Sequence, residues 1–262
     1  MLLSMLYLQH QFLQYQNEKT FYPIVTSWFV KIDYRIVTFL FATSYFRTVT
    51  LLFVTIDSSC LGLLVLGGAN TYNNAGRSVE YWSPDATCIL PDLSREMYEP
   101  SVNFIQDTIV VCYDDSCDKL QEGAWVKMAD TLQYRYSHTS EVISDKILLI
   151  GGDNANTTTE LVTVNGQSVE GFSLDHVRSR HCSVKISDST VVIIGGGNTW
   201  SRVTEYSGIG REVTSRELPD LLTGRQAHAC GQFMDGETQV MTLVSHWSLH
   251  SLYTVLCCTL LY

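Results

Sequence analysis

Three histidines, His138, His181 and His228, stand 43 and 47 residues apart, and each follows an arginine by three positions, at Arg135, Arg178 and Arg225. Imidazole can carry a proton near neutral pH or ligate a metal, so copies at repeated positions raise the question of one shared centre. Of eight cysteines, Cys182 directly follows His181 and Cys230 lies two residues past His228, while Cys112 and Cys117 bracket a four-residue stretch. Cys88 is a competing partner for either pair. Asp114, Asp115 and Asp118 offer the carboxylate oxygens that calcium takes, but without the glycine-punctuated spacing of a calcium loop they read as a solvated acidic turn. Arg and His repeated ahead of a strand read better as donors to backbone carbonyls of a neighbouring unit than as metal ligands. No phosphate-binding glycine loop, dinucleotide fingerprint, His-Glu-x-x-His, Gly-x-Ser-x-Gly or Cys-x-x-Cys occurs. The expectation is a chain with no catalytic residue, no metal and no cofactor.

The elements that must position these residues repeat with them. Aliphatic runs ending in paired glycines occur at Leu63–Gly68, Ile147–Gly152 and Val191–Gly196. The pairs are Gly67 with Gly68, Gly151 with Gly152, and Gly195 with Gly196. Successive pairs lie 84 and 44 residues apart, so the first gap is two periods, and a degraded copy fills it at Thr108–Tyr113. The Arg marker keeps the same phase, with Arg95 followed three residues later by Tyr98 in the early copy. Each period of about 45 residues holds several short apolar or alternating runs divided by Gly, Asn, Asp and Pro, the signature of a propeller blade. Glycine is required where a buried strand turns at a crowded blade end, because it reaches positive φ and lets backbone approach. The fold expected is all-β, a propeller of about four recognisable blades, incomplete or atypically closed. An open ring leaves unpaired strand edges, so a chain cut short, or a ring completed by the head, is expected.

Composition divides the chain in three. All 17 glycines fall at or after Gly62, and residues 1–61 carry a net charge of +1 within a total of -10. The acidity therefore belongs to residues 62–262, which argues against nucleic acid as a partner. The chain reads as a glycine-free hydrophobic head at 1–61, blades at 62–245 and an uncharged apolar tail at 246–262. Within the head, 36–56 is long enough to span a bilayer, with Arg47 at its middle opposing insertion. Membrane contact through this segment is one expectation, strands the other.

The glycine pairs, the Arg and His loop, Tyr206 at an aromatic position and Trp125 at a tryptophan position resemble the kelch-repeat family, over about residues 62–243. Leu161 departs from the aromatic position. The resemblance implies a kelch-type β-propeller that holds partners with loops at the blade ends. Asp153, Asn154, Asn198 and Trp200 follow glycine pairs and are the candidate partner-binding residues. Asn156, in an Asn-Thr-Thr sequon, is the candidate N-glycosylation site. Cys112 with Cys117 and Cys182 with Cys230 are candidate disulfides, open against the alternative of buried reduced thiols. Together with a resemblance to secreted invertebrate kelch proteins, they favour an extracellular or membrane-tethered setting with the propeller outside, the alternative being cytoplasmic. The function expected is a non-enzymatic module for a protein or glycan ligand. The alternatives are an intracellular kelch adaptor for a ubiquitin ligase and a copper enzyme similar to galactose oxidase.

Overall fold

The computed structural model describes residues 39–44, 47–57, 60–66, 69–71, 74–82, 87–97, 99–154, 157–210, 212–235 and 238–244. Gly67, Gly68, Tyr98 and Asn156 lie outside them, as does the tail at 246–262. Every regular element among the described residues is a β-strand, and every pairing is antiparallel. No helix of the described residues is long and apolar enough to cross a membrane.

The first sheet has the order β1 (Phe39–Ser44), β2 (Arg47–Asp57), β3 (Cys60–Leu66), β6 (Val79–Trp82) and β7 (Thr87–Leu90). Between β3 and β6 stands a small ribbon of β4 (Ala69–Thr71) and β5 (Asn74–Ala75). This sheet draws strands from both sides of the composition boundary at residue 61, since β2 pairs with β3 from Thr50 opposite Leu66 to Asp57 opposite Cys60. Segment 36–56 thus contributes β1 and most of β2.

The second sheet contains β8 (Ser101–Ile105), β9 (Thr108–Gln121) and β10 (Ala124–Arg135). β9 reverses on itself. The Cα atoms of Cys112 and Cys117 are 4.0 Å apart, and the Thr108 hydroxyl donates to the Leu120 carbonyl at 2.7 Å. The first half pairs with β8 and the second with β10, so β9 serves as two strands. The third sheet is the hairpin ladder β11 (Thr139–Ile143), β12 (Lys146–Ile150), β13 (Thr158–Thr163) and β14 (Ser168–Ser173). The fourth repeats it with β15 (Cys182–Ser187), β16 (Thr190–Ile194), β17 (Val203–Ser207) and β18 (Thr214–Leu218). A ribbon of β19 (Ala229–Asp235) and β20 (Thr238–Val244) comes last.

The aliphatic runs are second strands, buried on both faces, which is why they read as continuous rather than alternating. Ile147 and Leu149 of β12 pack back toward the second sheet, while Leu148 and Ile150 pack forward onto Val191 and Ile193 of β16. Val192 and Ile194 pass the contact on to Val203 and the Cys182–Cys230 pair. Four apolar cores therefore alternate with the sheets. The first strands stand side by side: β8 lies against β11, β11 against β15 and β15 against β19. β2 also lies against β8, and β1 against β19.

The paired glycines sit where this stack is tightest. Gly152 has φ +102°, and a Cβ there would stand 2.8 Å from the Tyr136 carbonyl oxygen and 3.0 Å from the His138 Cβ. Gly196 repeats this at φ +100° against Ser179 and His181. Gly123, at φ +78°, has open space around it. Gly123→Ala should therefore lose only the left-handed backbone term, about 1 kcal/mol. Gly152→Ala should lose that and a further ~1–3 kcal/mol of steric strain, read as the difference between their urea unfolding midpoints.

Candidate functional site

The Arg-x-x-His segments lie between sheets, and their structure explains the residue types. Arg178 Nη1 donates to the carbonyls of Gly195 at 2.7 Å and Arg202 at 3.0 Å. Its Nη2 donates to Thr204 Oγ1 at 2.7 Å. Arg135 makes the matching set, to the carbonyls of Gly151 at 2.9 Å and Thr158 at 3.0 Å. Both guanidiniums are fully buried among side chains, and each ties the end of a glycine-pair strand to the start of the next. The main chain completes the lock, because Gly152 N–H donates to the Arg178 carbonyl and Gly196 N–H to that of Arg225, both at 2.8 Å. Arg135 is paired with the buried Glu160 at 3.4 Å. Thr204 occupies the place of Glu160 beside Arg178, and relays to Glu217 by a 3.1 Å bond. Burial lowers the pKa of both arginines, well short of deprotonation at neutral pH.

The residue before each histidine is left-handed: Ser137 at φ 55°, Arg180 at 51° and Ala227 at 50°. These residues are bonded in series, Arg180 N–H to the Ser137 carbonyl at 3.0 Å and Ala227 N–H to the Arg180 carbonyl at 2.7 Å. Glu99 has the same backbone, with φ 46°, and its carboxylate accepts the Ser137 hydroxyl. That fixes the phase of the early copy and corrects the reading of Arg95. Counting back from Glu99 puts Met97, buried in the first core, at the arginine position. Arg95 instead lies over the Tyr113 ring at 4.0 Å and donates to Asp115 at 2.8 Å.

The histidines form an inter-sheet ladder. His138 Nε2 lies 2.9 Å from Ser101 Oγ, and His181 Nε2 lies 2.8 Å from Thr139 Oγ1. In each case the hydroxyl belongs to the first residue of the preceding first strand. Two residues on, Asn103 Nδ2 donates to Ser140 Oγ and Ser183 Oγ donates to Glu141 Oε1, both at 2.7 Å. At the third interface Cys182 stands in the place of Thr139 and Cys230 in that of Ser183, with Val184 in the place of Glu141, and the two cysteines are joined as a disulfide. His228 is consequently left with neither ring nitrogen bonded. Burial lowers the pKa of His138 to about 3 and of His228 to about 4, and that of His181 well below its ordinary value. All three are neutral at pH 7. Among the described residues no three His, Cys, Asp or Glu side chains are grouped to hold a metal.

The loops after the glycine pairs emerge at this same end. Asp153 exchanges backbone bonds with Tyr136 at 2.6 and 3.4 Å, and its carboxylate lies 3.8 Å from Arg180. Asn154 and Asn198 are exposed at φ 72° and 67°, which is turn chemistry. Trp200 is 50% exposed on a backbone held by Arg225 N–H at 2.6 Å. Gly224 packs against it so closely that a Cβ would stand 2.6 Å from the Trp200 Cβ. Leu222 in that neighbouring loop is 94% exposed. Asp153 and Trp200 therefore serve one assembly with the Arg and His residues, which spacing alone did not reveal. The acidic stretch is elsewhere: Cys112–Cys117 closes it, and Asp118 is buried, accepting bonds from Tyr113 Oη at 2.8 Å and from Ser94.

Glu141 had no marker in the sequence. It is buried on β11, and burial raises its pKa to about 7 against a smaller lowering by the Ser183 hydrogen bond and Lys185. A carboxyl with a raised folded pKa stabilises below its unfolded value, and that contribution is lost as pH rises through the folded one. Glu141→Gln should therefore match wild type near pH 4.5 and exceed it at pH 8 by about 2–3 kcal/mol, measured by urea unfolding across that range. The buried histidines, whose folded pKa values are lowered, act in the opposite sense below pH ~6.5 in both proteins and cancel in the difference. The ladder can be tested by transplanting one rung. Cys182→Thr with Cys230→Ser copies the imidazole–hydroxyl rung of the second interface into the third, where Val184 stands in the place of Glu141, and should be more stable by about 1 kcal/mol than the double alanine variant, with His228 ring nitrogens showing a hydrogen-bonded NMR signature.

No protein-family model matches the sequence, and no curated protein is similar to it. Among solved structures the chain is similar to one titled "Structure of YjhT", at 11% identity and a TM-score of 0.53, over 78% of this chain and 70% of that one. At that identity the likeness speaks to the fold alone.

Proposed function

We propose that the chain is a kelch-like β-propeller that binds a protein or glycan ligand outside the cell without chemical turnover. The observation that carries this is the repeated lock of glycine pair, buried arginine and left-handed residue. It fixes the loops after the glycine pairs as a rigid platform with Trp200 half exposed. Rigid aromatic anchors lose little entropy on binding. Four sheets and the β19–β20 ribbon succeed one another along the chain with neighbouring first strands in contact, and the approach of β1 to β19 and β2 to β8 supports closure with strands from the head. The likeness to YjhT, a kelch-type propeller, supports the same fold. Two disulfides support an oxidising compartment and weigh against an intracellular ubiquitin-ligase adaptor, which would keep its thiols reduced.

The test is capture of extracellular proteins and glycans on immobilised, disulfide-intact chain beside a Trp200→Ala variant. Trp200→Ala should fold normally, since its ring is half exposed, and weaken the captured ligand by about 10-fold or more. Catalytic consumption of a captured ligand, or retention that ignores Trp200→Ala, would overturn the reading.

A further inference from the structure

The third inter-sheet contact breaks the pattern of the first two in one respect. His138 and His181 each set Nε2 against the hydroxyl that opens the preceding first strand. For His228 that residue is Cys182, whose sulfur is committed to Cys230. Both His228 nitrogens are buried and unbonded, and its Cε1 edge lies where a Cβ on Gly195 would come within 2.9 Å. Leaving such a group unsatisfied is unfavourable, and any change that supplies a partner is favoured by that amount.

We propose that Cys182–Cys230 is a thiol-exchange site, in which opening the disulfide turns Cys182 into the hydrogen-bond partner that His228 lacks, so that a small dithiol opens it in the folded protein ahead of Cys112–Cys117. A dithiol thiolate attacks the sulfur of Cys230, the less deeply buried residue of the two, and the electron pair of the S–S bond leaves on Cys182. The Cys182 thiolate accepts the N–H of neutral His228, which makes it a better leaving group. The second dithiol sulfur then attacks the mixed disulfide, releasing Cys230 thiolate. The reagent is oxidised to its cyclic disulfide, and the two cysteine sulfurs take up the two electrons and, from solvent, the protons. Cys112–Cys117 has no such assistance. The polar groups around it are already engaged, with Tyr113 bonded to Asp118 and Arg95 to Asp115. Exchange at this inter-sheet contact is independent of ligand capture by the outer loops.

The full chain is equilibrated in mixtures of reduced and oxidised dithiothreitol, alkylated with iodoacetamide and mapped by mass spectrometry. Cys182 and Cys230 should be half labelled at a ratio of reduced to oxidised reagent at least about 10-fold lower than Cys112 and Cys117. His228→Ala should raise that ratio about 10-fold, and His228→Gln, which keeps a donor, should restore part of it. The His228 ring 15N signals should move on reduction, while those of His138 and His181 stay. Opening of Cys112–Cys117 first, a midpoint indifferent to His228→Ala, or unmoved His228 signals would each overturn the proposal. If the variants do not fold, the wild-type opening order and the ring signals decide it.

Discussion

At the end of β12 and again at the end of β16, separate stretches of main chain approach one another more closely than a single methyl group would permit. The glycine pair, the segment before its own first strand and the segment before the next one meet there, with the Arg178 carbonyl 2.3 Å from where a Gly151 Cβ would be. Crowding of this kind concentrates carbonyl oxygens, and a buried carbonyl without a donor is costly. The guanidinium, with its fixed fork of donors, is the side chain that can serve several carbonyls at once. Gly-Gly at the end of a second strand therefore requires Arg ahead of the first strand of the same sheet, Arg135 for Gly151 and Arg178 for Gly195, and the histidine three residues later is set by the turn between them. Packing of the aliphatic strands, the placing of the outer loops and the burial of the imidazoles all depend on that meeting point.

Much of this was legible in the residues. The glycine pairs and the Arg to His interval carried the period, because a site with no room for a Cβ and a site needing several donors both restrict residue type sharply. Cys112 and Cys117 could be read as closing the turn that lacks glycines. What the hydroxyls do was hidden. Ser101 and Thr139 are ordinary strand residues in sequence, and only the alignment of neighbouring first strands shows that each faces an imidazole. Arg95 was misleading for a similar reason, since the interval to Tyr98 matched the period while the left-handed residue, Glu99, lies two residues beyond the place that interval gives it. The segment that holds β1 and β2 reads both as a membrane span and as strands, because an apolar, β-branched stretch fits either equally well.

The interfaces differ in how they satisfy polarity. The second and third sheets are joined by neutral hydrogen bonds, Ser101 to His138 and Asn103 to Ser140. The third and fourth add a carboxyl, Glu141, whose raised pKa reflects a dry position that suits the protonated form. The fourth sheet meets the last ribbon through a covalent bond. The same geometric slot thus accepts a hydroxyl or a sulfur, Cys182 standing where Ser101 and Thr139 do, while Glu141 stands in the place of Asn103 and Val184. What stays constant is that it lies between first strands, where solvent cannot supply a missing partner.

The left-handed residues have a bearing on how the chain comes apart. Their backbone bonds run one way, from Ala227 to Arg180 and from Arg180 to Ser137, and each links segments that belong to different sheets. A linear array of repeats can fray from its ends, each unit unravelling nearly independently. Here the loss of one sheet strips a bond from the next and exposes the face of a shared core. Melting should be cooperative across sheet boundaries, with protection from hydrogen exchange at Arg180 and Ala227 persisting until the whole assembly opens.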